Sequence, residues 1–263
     1  DFVKASHQAG MKVFAEIGIF VGERSWERYP ESRPITSSGS AILKDKWYAG
    51  VNPTIDAVRT ERLKAIRDLM ANHDLDGIWL DFIRWPCHWE VHCPRIEQTS
   101  FDPITVSKFQ SSTGIRIPPT LSKPEEIADW ILSNHADDWT SFKCDQITTF
   151  VEDARNVVKE FGEDKILGLF GVPWRDDYDG AITRIIGQDY EALSRFVDVF
   201  SPMLYHRMCD RSVAWIGEVT ADLSGRTGRP IWPVIQAVNE PDSLSDTEFN
   251  MALKTAMEAR GST

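Results

Sequence analysis

The stretch Asp76-Gly77-Ile78-Trp79-Leu80-Asp81-Phe82-Ile83-Arg84-Trp85-Pro86 sets one carboxylate inside a run that is otherwise apolar. Gly77 to Ile83 reads as a β-strand, because short, nearly continuous apolar runs suit strands covered on both faces, as in parallel sheets. Asp81 stands near the C-terminal end of that run. Burying a carboxylate is costly, so a chain keeps one there only where it has a partner or a chemical task. Two readings follow. Asp81 is a structural group paired with Arg84 or a neighbouring strand, or it is a functional carboxylate at the mouth of a site.

Working outward, similar runs recur at Val13 to Phe20, Ile166 to Val172, Val197 to Tyr205 and Ile231 to Val238. Helical periodicity separates them. Ile55 to Asn72 carries Val58, Leu63, Ile66, Leu69 and Met70 on one face, behind the start signal Asn52-Pro53-Thr54. Trp139 to Phe161 repeats the pattern; Glu191 to Phe196, Arg211 to Leu223 and Thr247 to Ala259 are shorter, and Phe2 to Gln8 also reads as helix. Strands alternating with helices predict βαβ units and an α/β fold with a parallel sheet. Two long insertions, at about 21–52 and 84–138, follow strand ends, where barrel enzymes carry their sites. Residues 1–263 are expected to form a single α/β domain, and the resemblance of the Asp81 segment to a known family implies that it is a (β/α)-barrel domain of catalytic type. Five strands are legible, whereas a closed (β/α)8 barrel has eight, and an open five-stranded sheet is the simple alternative.

Bulk properties narrow the function classes. The chain has 263 residues, 42% hydrophobic and 26% charged, with a formal net charge of -11. Its Lys and Arg residues are scattered among acids rather than gathered in a stripe, which argues against nucleic acid or anionic membrane as partners. A neutral or amino-bearing ligand is compatible with that balance. No apolar run approaches the ~20 residues of a membrane span. The chain opens on Asp1 rather than Met, so the lack of a signal pattern is uninformative. No Gly-rich phosphate loop, dinucleotide fingerprint or Gly-x-Ser-x-Gly elbow occurs, and no cofactor is expected.

The segment around Asp81 resembles a motif of the bacterial glycosyl-hydrolase-like TIM barrels, the family-ten glycosyl-hydrolase-like group that is distinct from the family-ten xylanases. There the pattern is Asp-Gly-Ile, an apolar strand, then Asp, an aromatic, Arg, an aromatic and Pro. Gln8-Ala9-Gly10-Met11-Lys12-Val13 is similar to the family's junction into its third strand. Val51-Asn52-Pro53 with Val58-Arg59 is similar to the lead into the helix before the fourth. Val197 to His206 is similar to the sixth strand, and Pro233 to Gln236 to the seventh. The resemblance implies a TIM-barrel-type fold that is incomplete in this chain, without strands one, two and eight. It also implies glycan hydrolysis and an extracytoplasmic or secreted location.

Glycosidic cleavage generally needs two carboxyl groups, one of them protonated. With Asp81 as one, Asp176 and Glu240 lead as the second, each following a strand; Glu16, inside the first strand run, is a further candidate near the substrate. Each of these acids alone is more often a loop or paired residue. Trp26, Trp47, Trp85, Trp89, Trp174 and Tyr205 fall at loops or strand ends on one predicted face, where aromatic rings can stack on sugar C–H faces, although some of the ten Trp must be core. Arg84 is read as the group that holds Asp81 ionised, rather than a substrate clamp. Tyr205, His206 and Gln236 end their strands and fit substrate hydrogen bonding, with His206 a possible general acid and more often a structural residue.

Cys87-His88-Trp89-Glu90-Val91-His92-Cys93 holds two His four apart between two Cys. Pro86 and Pro94 bracket it and the spacing fits no closed zinc motif, so a Cys87–Cys93 disulfide or free thiols is expected in place of a metal. The chain is therefore expected to be a glycoside hydrolase acting on an oligo- or polysaccharide. Its rivals are a non-catalytic carbohydrate-binding barrel and, behind it, a metal-dependent hydrolase.

Overall fold

The computed structural model describes residues 2–45 and 48–263. Strands β1 (Phe14–Gly18), β2 (Gly77–Asp81), β3 (Ile166–Gly171), β4 (Val199–Leu204) and β5 (Val234–Ile235) lie in sequence order in one parallel sheet. The helices are α1 (Phe2–Gln8), α2 (Glu23–Arg28), α3 (Asp56–Asn72), α4 (Pro103–Thr113), α5 (Pro124–Asn134), α6 (Ala136–Lys159), α7 (Asp177–Arg184), α8 (Tyr190–Leu193), α9 (Ala214–Thr227) and α10 (Asp246–Glu258). Every strand-to-strand crossover contains at least one helix, as parallel pairing demands. The sheet curls into a half-barrel of TIM type, and among the described residues neither β1 nor β5 has a strand on its outer edge.

The motif around Asp81 now has a physical account. The Asp76 carboxylate accepts the Val13 N–H at 2.6 Å and meets His7 Nε2 at 2.9 Å, which ties the entry of β1 to the entry of β2. Although burial pushes the Asp76 carboxyl upward, the Val13 and His7 contacts prevail and hold it below its ordinary value. Gly77 is required because a Cβ there would lie 2.0 Å from the Ile166 carbonyl oxygen on β3. Ile78 and Leu80 are fully buried and face the helices, while the alternate residues Trp79 and Asp81 face the barrel interior.

Interior packing beneath Asp81 is aromatic. Trp79 stacks on Trp232 at 5.1 Å, meets Phe14 edge-on at 4.9 Å and donates its Nε1–H to Ser201 at 3.0 Å. Gly168, its register partner on β3, leaves the room that the indole fills. On the outer face α3 packs against α6 and α9 against α10, completing the helical layer.

The second insertion is not a bare loop: it carries α4, α5 and the start of α6. Asp102 caps α4 by accepting from the Ile104 and Thr105 N–H groups, Pro103 starts it, and Gly114 ends it in the left-handed conformation. Phe101, Phe109, Ala128, Ile131, Trp139 and Phe142 form a separate apolar cluster beneath α4 and α5. Strand edges also retreat from the apolar runs. Val234–Ile235 is the whole of β5, whereas the run suggests Ile231 to Val238.

Candidate active site at the C-terminal mouth of the sheet

Period-two alternation along each strand decides which side chains reach the mouth. Gly18 pairs with Asp81 in the β1–β2 register, so the position beside the carboxylate carries no side chain. Two residues earlier on the same face is Glu16. Its carboxyl lies in hydrogen-bonding range of Asp81. Burial first, then the Asp81 charge and this hydrogen bond, raise the Glu16 carboxyl above its ordinary value. A carboxyl group next to another one ionises less readily, which is the direction found for Glu16.

The turn after β2 fixes Asp81. Phe82 adopts φ 48°, a left-handed conformation that a bulky residue rarely takes, and its N–H donates to Asp81 Oδ1 at 2.7 Å. β1 continues to hold this turn, with the Ile19 N–H donating to the Asp81 carbonyl at 2.9 Å and the Phe20 N–H to that of Phe82 at 3.2 Å. Backbone strain of this kind persists only where the surroundings over-determine it, and it concentrates at functional sites.

Arg84 is 2% exposed and lies over the Phe82 ring at 4.5 Å. It forms no ion pair with Asp81 or with any other acid among the described residues, and its Nε is buried without a hydrogen-bond partner. The sequence reading of an Arg84–Asp81 pair is therefore replaced by a guanidinium packed on Phe82, whose charge acts through space on Tyr48, Cys87, Glu90 and Tyr205.

A groove of about 800 Å³ is lined by residues that include Tyr48, His88, Glu90, Tyr205, Gln236 and Glu240; Asp81 and Glu16 are not part of its lining. Tyr205 stacks its ring on Trp89 at 5.9 Å. Burial, followed by the charges of Glu90, Asp81 and Glu16, pushes its phenol up to about 12, while Arg84 acts in the opposite direction. One phenol thus senses three carboxyl groups. Glu90 is half-buried; burial raises its carboxyl, Arg84 and His88 oppose that, and Asp81 adds to it.

Of the residues singled out from sequence, Asp81, Glu16 and Tyr205 come together, and Gln236 and Glu240 line the adjoining groove. Gln236 spends its amide on backbone: its oxygen accepts the Met208 N–H at 3.1 Å and its nitrogen donates to the Val238 and Glu240 carbonyls. Asp176 lies elsewhere, exposed in a cavity of about 620 Å³ with Arg175, Asp222 and Arg226. His206 is buried on the outer face, its Nε2 3.1 Å from Glu248 on α10. Trp85, Trp89 and Trp174 are core side chains, with Trp85 donating to the Lys143 carbonyl at 3.0 Å. Trp26 is half-buried against the core, and Trp47 lies outside the described residues.

All four cysteines are free, with Cys87 buried and Cys93 exposed, so of the two expectations for Cys87 and Cys93 the structure has free thiols rather than a bridge. His88 and His92 face different acids, Asp45 at 3.7 Å and Asp210 at 3.0 Å. Sequence reasoning passed over Glu90, which sits in a loop with no periodicity to mark it. Its flanking Trp89, anchored on Tyr205, is the signal that only the tertiary structure supplies.

Residues 1–214 match the family model DUF4015, described as "Putative glycosyl hydrolase domain". The chain belongs to the DUF4015 family. Solved structures of similar fold include the PgaB (BpsB) glycoside hydrolase domain from Bordetella bronchiseptica, with a TM-score of 0.69 and 13% identity over 97% of this chain and 70% of that one. A beta-galactosidase from Bacillus circulans sp. alkalophilus gives a TM-score of 0.70 and 12% identity, covering 100% of this chain and 41% of that one. At these identities the likeness concerns the fold alone. An "S-layer-related protein" of Niallia circulans is 28% identical over 122 residues, 44% of this chain and 7% of that protein. The chain therefore spans a small part of this curated relative. Family and fold together make the chain glycoside hydrolase-like. No helix among the described residues is long and apolar enough to cross a membrane.

Proposed function

We propose that the chain cleaves a glycosidic bond of an oligo- or polysaccharide at the mouth of the half-barrel, with Asp81 as the carboxylate facing the anomeric carbon. The observation that carries this reading is the Glu16–Asp81 carboxyl pair at the C-terminal strand ends, whose charges act on Tyr205, a residue lining an 800 Å³ groove. In TIM-barrel enzymes this end of the sheet is where chemistry is done. Glu16 in its neutral form donates to Asp81, which steadies the Asp81 carboxylate, and Tyr205 offers a ring face and a phenol O–H to a sugar. Of the two acids that the sequence offers as the second carboxylate, Glu240 borders this groove and Asp176 does not.

A binding-only barrel would rest on exposed aromatic platforms, yet Trp85, Trp89 and Trp174 are buried. Likeness to an S-layer-related protein supports an extracytoplasmic location and a cell-surface glycan as substrate. The test is a screen of purified protein against aryl glycosides and cell-wall or surface polysaccharides, with Asp81→Asn as the control. Asp81→Asn should lower turnover by at least about 10²-fold while leaving the circular dichroism spectrum unchanged. Full turnover in that variant on a proven substrate would refute the assignment.

A further inference from the structure

Resting on the hydrolase reading above, we infer that Glu90 is the proton donor to the departing sugar oxygen, and that the buried guanidinium of Arg84, which forms no ion pair among the described residues, stabilises the carboxylate Glu90 leaves behind. The placement comes first. Glu90 lines the same groove as Tyr205. Its neighbour Trp89 is fully buried and stacked on the Tyr205 ring at 5.9 Å, while the preceding His88 ring lies 6.3 Å from that of Tyr48. Tyr48 in turn packs at 5.8 Å from Phe82 and accepts the Cys87 N–H at 3.1 Å. Residues 87–90 are thereby anchored on both sides, which holds Glu90 in the groove beside Tyr205 and within electrostatic reach of Asp81.

The division of labour follows from the surroundings. Glu16 touches Asp81 and cannot straddle a glycosidic bond with it, because the two carboxyl groups of a glycosidase pair are about 5–10 Å apart. Glu90 interacts with Asp81 through space, and no hydrogen bond joins them. Its half-buried carboxyl favours the neutral acid, the form a donor must hold before the bond breaks. Arg84 explains how the proton can leave. A buried guanidinium without a counter-ion is costly, and the carboxylate created by proton transfer supplies that counter-ion. Among the charged groups acting on Glu90, Arg84 is the foremost, followed by His88 and Asp81.

In the step itself the C1–O bond breaks as the Glu90 proton passes to the leaving oxygen, and the aglycone departs as an alcohol. One water is consumed. Its hydroxyl ends on C1 and its proton restores the Glu90 acid.

The experiment compares wild type, Glu90→Gln, Glu90→Asp and Asp81→Asn on two sets of substrates: 2,4-dinitrophenyl glycosides, whose leaving group needs no protonation, and the matching methyl glycosides or oligosaccharides. Glu90→Gln should lose at least about 10²-fold on the unactivated substrates and less than about 10-fold on the activated ones, while Asp81→Asn loses on both. Glu90→Asp should recover part of the loss, which separates a missing acid from a misfolded loop. Equal loss of Glu90→Gln on both substrate sets, or no loss, overturns the inference and leaves the hydrolase reading standing. If the wild type cleaves neither set, nor any glycan of the earlier screen, the hydrolase reading fails and this assignment fails with it.

Discussion

Replacing Gly168 by Ala probes the packing that carries Asp81. An added Cβ would stand 2.2, 2.3 and 2.4 Å from Cε2, Cδ2 and Cζ2 of Trp79. Ordinary carbon–carbon contact is about 3.5 Å or more, so the indole must withdraw by more than about 1 Å. It has little room to do so, with Trp232 stacked at 5.1 Å, Phe14 at 4.9 Å and Ser201 holding Nε1 at 3.0 Å. Overpacking costs about 1–3 kcal/mol. A strained or broken buried hydrogen bond adds about 1 kcal/mol, and the lower entropy of an unfolded Ala returns about 0.5–1 kcal/mol. The net is a destabilisation of about 1.5–3 kcal/mol. For a chain of this size that corresponds to a fall in Tm of about 5–10 °C. Far-UV circular dichroism melts would read it, and near-UV spectra would report the altered Trp79–Trp232 stack. Gly225→Ala is the paired control: it lies within α9 with no atom within 4 Å of its Cβ and should be neutral or stabilise by up to about 1 kcal/mol. A Gly168→Ala variant that melts with the wild type would refute the seating of Trp79, and with it the orientation assigned to Asp81.

Glu16→Gln should raise Tm at pH 7 but leave it unchanged at pH 4. The Glu16 carboxyl is raised in the folded state, so the wild type loses stability as pH climbs from 4.5 through that raised value. A Tm difference that is the same at both pH values would remove the like-charge contact from the account. Lys143 is fully buried, donates to the Arg184 and Ile185 carbonyls at 2.9 and 3.0 Å, and is lowered by burial to about 7. Between about 7 and its ordinary 10.5 the unfolded chain binds a proton that the folded chain sheds, so this residue adds stability as pH rises. Lys143→Met should lose that slope, and denaturant melts at pH 7 and pH 9.5 that show the same difference from wild type would contradict it.

Sequence and structure divide the explanation unevenly. The order of strands and the parallel sheet were legible because apolar runs alternating with helical segments leave few other arrangements in which to bury them, whereas the barrel type came from the family resemblance of the segment around Asp81. The place of Asp81 at the C-terminal end of β2 was legible from the same run, in which it is the one charged residue between Gly77 and Ile83. The helices of the second insertion were hidden less by pattern than by attention to its prolines, since Asp102-Pro103 and Gly114 mark the ends of α4 in the sequence itself. Asp176 and Glu240 each follow a strand and look equivalent in one dimension; the fold sends one into a separate cavity and the other to the groove.

By itself the sequence determined the period-two alternation that faces Glu16, Trp79, Asp81 and Tyr205 to one side, because local sterics set side-chain direction along a strand. What it could not determine is distance between segments far apart in the chain. That Glu16 touches Asp81, that Glu90 shares a groove with Tyr205, and that Arg84 forms no ion pair among the described residues depend on strand register and on a loop pinned by Trp89. Such contacts are fixed by many weak packing terms summed over the whole core, and only the tertiary structure adds them up.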